Sequence, residues 1–345
     1  MFKKLTMGLM AGLISAALLT GCGGGSGGSS GSGGSGSGDD PKQPAATPSA
    51  QIEMKGEPTS TFQIGSKTAK LYELKGAKLK DRKDNFNLTG ERIVFANGAI
   101  YLHGEVEKAG KDIKQLFKLP LNGDTVGEPE PVAESDGDDD DKRNLAVCRD
   151  KVLFKLVEGG KLAFYNGKSV DKSEGKWKDE YDGMVGFAET SDLLLVRSLD
   201  TICTAKQELS DIKGVKEVVK DARETLKLKN AGPLRPVYAD VNEMFLSVEA
   251  EDGFTTDLIA VDKNGKLLNR YNGLKDDPAD WAVTRHYLVQ AGSQGDMLIY
   301  ERETGKKVYD SKVRDFEPLH IYAIGGDMLL AYSDWSDKFF ILDLK

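Results

Sequence analysis

Residues Arg235 to Gly273 form a unit of four short β-rich runs, and the chain repeats that unit. The runs are Pro236-Val237-Tyr238-Ala239, Met244-Phe245-Leu246-Ser247-Val248, Leu258-Ile259-Ala260-Val261-Asp262 and Leu267-Leu268-Asn269-Arg270-Tyr271. Polar turns separate them, the last being Lys263-Asn264-Gly265-Lys266. Runs rich in β-branched and aromatic residues and bounded by Gly, Asn and Asp read as strands. A repeat of this length constrains the fold more than any bulk property, because one unit cannot bury its apolar face alone.

From about Ser60 onward, six apolar strands each carry a small residue at one point: Ala96, Cys148, Ala188, Ala239, Thr284 and Ala323. Each leads through a polar turn into a second, more apolar strand. Those strands hold Ile100-Tyr101-Leu102, Val152-Leu153-Phe154, Leu193-Leu194-Leu195, Met244-Phe245-Leu246, Tyr287-Leu288-Val289 and Met328-Leu329-Leu330. The first turn is Asn97-Gly98, a strong two-residue hairpin signal. A second hairpin comes next in most units. It shows as Leu116–Leu119 with Asn122-Gly123, Leu162–Tyr165 with Asn166-Gly167, Ile259 with Asn264-Gly265, and Leu298–Tyr300 with Thr304-Gly305.

The small residues recur at intervals of 39 to 52 positions. Four strands per unit at this period predict an all-β fold, a six-bladed β-propeller of four-stranded blades over residues 61–345. A seven-bladed propeller and a β-sandwich are the alternative architectures. In a propeller the innermost strands converge on a central channel, which gives the small residues a physical reason. The sixth unit ends at its third strand, Phe339 to Leu344. Lys70–Leu74 or Ala77–Lys80 is expected to supply the fourth strand from the N-terminal side and so remove an exposed edge. The third unit breaks the pattern: Val215, Val218, Val219, Ala222 and Leu226 recur at helical spacing within Gly214–Lys229, which suggests a helical insertion in place of a fourth strand.

The first 22 residues bear on location. Lys3 and Lys4 precede an apolar run, Leu5 to Leu19, that is short for a membrane span. It ends in Leu19-Thr20-Gly21-Cys22. This resembles the lipobox of bacterial lipoproteins: a branched apolar residue, two small residues, then cysteine. The resemblance implies cleavage after residues 1–21, diacylation of the Cys22 thiol with palmitate-type chains, and anchorage to a membrane outside the cytoplasm. No twin-Arg pair is present, so general secretion is the expected route. Gly23 stands directly after the lipidated position, where an Asp would hint at inner-membrane retention. Gly23 to Gly38 contains only Gly and Ser, and Pro41, Pro44 and Pro48 stiffen the next dozen residues. Residues 22–60 therefore read as a lipidated Cys and a disordered tether, of which Gly23–Ala50 alone gives about 30 Å, that holds a folded domain clear of a membrane.

Two hairpins, Leu258 to Leu268 and Leu298 to Val308, carry an "apolar, x, apolar-Asp, x, x, Gly-Lys" pattern, with Asp262 in the first and Glu301 in its place in the second. They resemble the repeats of pyrroloquinoline-quinone-like (WD40/PQQ-like) β-propellers over most of residues 66–345. That resemblance implies relatives among quinoprotein dehydrogenases, lyases and non-catalytic scaffold lipoproteins, one of which serves outer-membrane protein assembly. A shared fold does not choose among these activities, and the chain has no recurrent Trp docking motif for a quinone.

The remaining chemistry is sparse. The net charge of −8 becomes −10 once Lys3 and Lys4 leave with the leader, and an acidic surface argues against a nucleic-acid partner. Three cysteines are too few for a disulfide scaffold. Cys148 reads as a buried small residue, and a bridge to Cys203 would have to span adjacent blades. His103 ends a second strand, His286 sits in a tight turn and His320 starts an inner strand. These non-equivalent positions suggest structural roles and no shared metal site. Asp136, Asp138 and Asp140 alternate as a calcium loop begins, but Asp141 stands where the turn glycine belongs, so the cluster reads as a solvated acidic loop. No catalytic residue, cofactor or metal site is expected.

The loops suggest a working surface. Those between second and third strands share a face with those between blades. They carry Glu105, Glu107, the Asp136–Asp141 cluster, Asp179, Glu180, Asp182, Glu249, Glu251, Asp252, Asp276, Asp277, Asp280, Asp334 and Asp337, with the aromatics Trp177, Phe254 and Trp335. The opposite turns carry Arg149, Lys168, Lys263, Lys266, Arg285, Lys306 and Lys307. Acidic loops studded with aromatics suit a protein or glycan partner, and Trp177, Trp335, Phe254, Asp334 and Asp337 are the candidate contacts. The expected function is a membrane-anchored binding or scaffolding module. The rival is an extracytoplasmic polysaccharide lyase or hydrolase, which would converge ionisable side chains at the channel mouth; no such set is visible in the sequence.

Overall fold

The computed structural model describes residues 52–80, 82, 85–135, 145–148, 150–157, 160–176, 181–186, 193–198, 201–206, 213–214, 234–249, 255–275, 279–311 and 316–345. Among them the chain is all-β, without an α-helix. Cys22, Ala188, the Asp136–Asp141 cluster, Trp177, Phe254 and residues 215–229 lie outside the described residues.

Three strands precede the first repeat: β1 (Ser60–Ile64), β2 (Lys67–Glu73) and β3 (Lys75–Gly76). The first sheet holds β4 (Phe86–Ala96), β5 (Ala99–Lys108), β6 (Lys111–Asn122) and β7 (Thr125–Val126), with β3 beyond β7 and β8 (Glu130–Glu134) also paired to β6. The second holds β9 (Ala146–Cys148), β10 (Lys151–Lys155), β11 (Lys161–Tyr165) and β12 (Val170–Lys176). The third holds β13 (Tyr181–Gly186), β14 (Leu193–Ser198), β15 (Thr201–Lys206) and β16 (Lys213–Gly214). The fourth is β17 (Leu234–Ala239), β18 (Glu243–Glu249), β19 (Thr256–Asp262) and β20 (Leu267–Tyr271). The fifth is β21 (Asp280–Val283), β22 (Tyr287–Ala291), β23 (Met297–Glu301) and β24 (Lys307–Asp310). The sixth is β25 (His320–Gly325), β26 (Met328–Ser333) and β27 (Lys338–Asp343), extended by β2 and then β1.

Strands that form six separate sheets do not make the two facing layers of a sandwich. The pairing of β2 with β27, Lys70 opposite Asp343 through Glu73 opposite Phe340, covers the sixth sheet's edge as the missing strand required. Ala77–Lys80, the other candidate, is not a strand; its Leu79 and Lys80 N–H groups donate to Asp337. The third unit keeps a two-residue fourth strand, β16, paired to β15. Glu105 and Glu107 belong to β5 and Glu249 to β18, not to loops, because these hairpins run further than their apolar centres. For the same reason His103 lies within β5 rather than at its end.

The first strands of the sheets lie side by side in space: β4 beside β9, β9 beside β13, β13 beside β17, β17 beside β21, β21 beside β25, and β25 beside β4. The core keeps this order, as six apolar layers, each between two neighbouring sheets. Strand β26 shows how. Met328, Leu330 and Tyr332 enter the layer facing the first sheet, while Leu329 and Ala331 enter the layer facing the fifth. Successive side chains of a strand point to opposite faces, and here both faces are covered. Second strands therefore read as continuous apolar runs rather than alternating ones. Two backbone positions need their residues. Asn97 and Gly98 both have positive φ, 50° and 70°, as a two-residue hairpin turn with the right twist requires. Gly186 on β13 lies so close to β9 that a Cβ there would sit 2.1 Å from the Val147 carbonyl oxygen.

Candidate functional site

The turn from β26 to β27, Asp334–Asp337, is tied down by residues 79 and 80 and by the end of β26. Asp337 adopts φ 55°, a left-handed conformation that Asp tolerates better than most residues. Its Oδ1 accepts from the Leu79 N–H at 2.8 Å and the Tyr332 hydroxyl at 2.8 Å, and its Oδ2 from the Lys80 N–H at 3.1 Å. Burial, helped by the Asp337 and Asp334 carboxylates, pushes the Tyr332 phenol well above its ordinary range, so it stays a donor. The Asp334 backbone carbonyl accepts from Lys80 Nζ at 2.5 Å, and its Oδ1 lies 3.4 Å from the same ammonium. The Trp335 N–H donates to Ser333 Oγ at 3.3 Å. The Trp335 side chain itself is 70% exposed, the most exposed large apolar residue among those described. Of the five candidate contacts, the structure brings Asp334, Trp335 and Asp337 together on one turn, two as anchors and one as an exposed tip.

Asp334 also joins this turn to a cavity. His320, the first residue of β25, turns Nε2 to Asp334 Oδ2 at 2.8 Å and Nδ1 to Asp280 Oδ2 at 3.5 Å. Burial works to lower the His320 pKa, but hydrogen bonds and charge from Asp280 and Asp334 outweigh it, and the imidazole lies above its ordinary value. Asp280 and His320 line a cavity of about 310 Å³ together with Arg92, Arg235, Ser247, Thr256, Trp281 and Tyr322. A second cavity of about 140 Å³ adjoins it, walled by residues from all six first strands. Val94, Ala146, Met184, Val237, Ala282 and Ala323 are among them, so its lining is largely apolar. Of the repeated small residues that are described, only Ala323 lines it. Ala96, Cys148 and Ala239 pack into the layers between sheets instead, and Thr284 donates to Asp327, because near the ends of the first strands these side chains turn toward the neighbouring sheet.

Local structure aims these groups. Arg235 and Pro236 precede a bulge in β17, where the register against β18 shifts between Pro236 and Tyr238. Bulges re-aim side chains, and a bulge tolerates proline inside a sheet. Arg92 Nη2 reaches from β4 to the Met184 carbonyl oxygen on β13, 3.4 Å away. Trp281 donates Nε1–H to the Thr256 carbonyl at 2.8 Å, which fixes its ring in the wall. The sequence gives no sign of this set: Arg92, Arg235, Asp280 and His320 stand on four different sheets. The other histidines are elsewhere. His103 is buried with Nδ1 3.2 Å from Ser135 Oγ, and His286 turns Nδ1 to Asp327 Oδ2 at 2.7 Å. Cys148 is buried in β9. Among the described residues no group of His, Cys, Asp and Glu gathers closely enough to hold a metal ion.

No protein family matches the chain, and no curated protein matches it. Solved structures resemble it in fold. A structural-genomics protein of unknown function from Bacteroides thetaiotaomicron is 11% identical over 80% of this chain and 76% of its own, with a TM-score of 0.48. The WD40 β-propeller domain of Doa1 is 11% identical over 79% of this chain and 97% of its own, at 0.47. The β-propeller domain of Myceliophteria thermophila Cps50 (Swd1) is 12% identical over 80% of this chain and all of its own, at 0.46. At such identities and scores the likeness does not reach function.

Proposed function

We propose that the chain is a lipid-anchored extracytoplasmic protein whose six sheets are the blades of one propeller ring, and that its loop face docks a protein partner around Trp335. The observation that carries this reading is the Asp334–Asp337 turn. It holds an aromatic ring 70% exposed on a backbone tied down by Asp337, Ser333 and Lys80. A rigid, exposed Trp is the side chain that most often anchors an interface, because it offers a large contact area and little entropy is lost on docking. The neighbouring acids give the face a sign that favours a basic partner surface. Adjacency of β25 and β4 supports the ring, and the six sheets support six blades over seven. The Leu19–Cys22 run supports the anchor, and the Gly/Ser tract supports a tether between residues 22 and 60.

The test is affinity capture from detergent-solubilised membranes with the full-length lipoprotein. Trp335→Ala, shown to be folded by its melting temperature, is expected to weaken a captured partner's binding about thirtyfold. Lys266→Ala with Lys306→Ala, on the opposite turns, is expected to change it less than about threefold. Retention by the Trp variant with loss by the Lys variant refutes the choice of face.

A further inference from the structure

We propose that the inner cavity binds a neutral single-ring ligand bearing one hydroxyl, a phenol, with the Tyr322 hydroxyl as its hydrogen-bond partner. Tyr322, on β25, lines both cavities. Its hydroxyl makes no hydrogen bond to a described residue. Burial pushes the Tyr322 phenol well above its ordinary range, so the group stays protonated and can donate. The neighbouring polar side chains of the wall already have partners. Trp281 Nε1–H donates to the Thr256 carbonyl, Arg92 Nη2 reaches the Met184 carbonyl, and the Tyr238 ring lies under the Arg302 guanidinium. A hydroxyl held inside a protein without a partner costs free energy, and a ligand oxygen placed against it recovers a hydrogen bond.

Volume and lining set the class of the ligand. The cavity measures about 140 Å³, and an apolar cavity of about 150 Å³ accepts a benzene ring. Val94, Val147, Met184, Val237, Val283 and Ala323 give it an apolar wall. The rings of Trp281 and Tyr322 stand in the same wall and suit an aromatic body through offset or edge-on contacts. A charged ligand would give up its hydration for this lining, and one hydrogen bond does not offset that loss. A bare hydrocarbon would fill the space and leave the Tyr322 hydroxyl unpaired. A ring with one hydroxyl satisfies both the wall and the tyrosine. Small-molecule sites commonly have this make-up, an apolar lining with few polar groups that fix orientation. The site is independent of partner docking at Trp335, and either reading stands if the other fails.

The experiment is calorimetric titration of the full-length protein with phenol, with toluene, which has the same shape and no hydroxyl, and with benzoate. The expected result is saturable binding of phenol and at least about tenfold weaker binding of toluene and of benzoate. Tyr322→Phe removes only the hydroxyl. It should weaken phenol about tenfold and leave toluene unchanged, so that the preference disappears. Because that hydroxyl bonds to no described residue, the melting temperature of Tyr322→Phe should not fall, which separates a ligand partner from a structural group. Trp335→Ala should bind phenol like the wild type. Toluene or benzoate binding as tightly as phenol overturns the proposal. So does full phenol affinity in Tyr322→Phe, a melting temperature of that variant several degrees below the wild type, an equal loss of phenol binding in Trp335→Ala, or no phenol binding up to about 10 mM.

Discussion

Arg302 is the charge whose removal should do most damage to the fold. It stands directly after β23 and is 8% exposed. Its Nη2 donates to Asp240 Oδ2 at 2.6 Å and to Glu243 Oε1 at 2.5 Å, and its Nε to Glu243 Oε1 at 2.8 Å. Its Nη1 reaches the Thr284 carbonyl at 3.3 Å. The guanidinium lies over Tyr238 and Phe245, 5.0 and 5.1 Å from their ring centres. Asp240 belongs to the turn between β17 and β18 and Glu243 opens β18, so one side chain ties the fourth sheet to the fifth. Burial opposes the charge, yet Glu243 and Asp240 outweigh it and hold Arg302 protonated at all accessible pH.

Arg302→Met keeps much of the volume and removes the charge. Asp240, 2% exposed, then keeps only the Asn242 and Glu243 N–H groups, both on its Oδ1. Removing one member of a buried pair costs about 3–5 kcal/mol, because the partner's charge stays buried and uncompensated. For a domain of this size each kcal/mol lowers the melting temperature by about 2–4 °C, so the expected fall is about 6–20 °C. Urea unfolding monitored by tryptophan fluorescence gives the free energy. Asp240→Asn placed on top should recover part of the loss, since it removes the stranded charge and keeps the Oδ1 acceptor of the turn. A cost below about 1 kcal/mol for Arg302→Met, or a double variant no more stable than the single, refutes the reasoning.

Three further outcomes are expected. Cys22→Ser should abolish lipid labelling and release the protein from membranes; metabolic labelling with an acyl analogue checks it, and equal labelling of variant and wild type refutes it. Deleting residues 66–74 removes β2, with buried Ala69, Leu71 and Tyr72 and its ladder to β27, and should abolish cooperative unfolding. Deleting Gly23–Ala50 should leave the melting temperature within a few degrees, and similar effects of the two deletions count against β2 as a structural strand. His320 is raised by Asp280 and Asp334, with Lys80 beyond Asp334 and with Arg92 and Arg235 lining the same cavity. A raised histidine stabilises the fold fully below its unfolded value of about 6.5 and loses that contribution as pH rises through the folded value. The stability gap between wild type and His320→Gln, read by urea unfolding, should therefore shrink from about pH 6 upward, and a gap that does not change with pH refutes it.

The sequence by itself determined the strands. Runs such as Met244–Val248 and Leu258–Asp262 recur as β18 and β19 because β-branched and aromatic composition, bounded by turn residues, is a local property. Asn97-Gly98 marked its turn because only residues that tolerate positive φ serve there. The truncated sixth unit required a strand from the N-terminal side, and an open sheet edge is a need that sequence can reveal. It did not settle that Lys67–Glu73 would fill it and that Ala77–Lys80 would instead be held by Asp337, since both segments have strand-like composition. Nor does it show where hairpins stop. Glu105, Glu107 and Glu249 look like loop acids by composition, yet backbone pairing carries their strands past the apolar centres.

Only the tertiary structure decided the sites. Arg92, Arg235, Asp280 and His320 come from β4, β17, β21 and β25 and meet because the first strands of separate sheets lie side by side. No periodicity within a strand encodes that meeting, because side-chain alternation tells which face a residue takes and not which sheet it will face. Arg302 is the same case: in sequence it is one charge in a polar turn, and it is buried because the fourth and fifth sheets close over it. Charge in a repeat protein reads as surface until the packing of neighbouring units shows which charges lie between them.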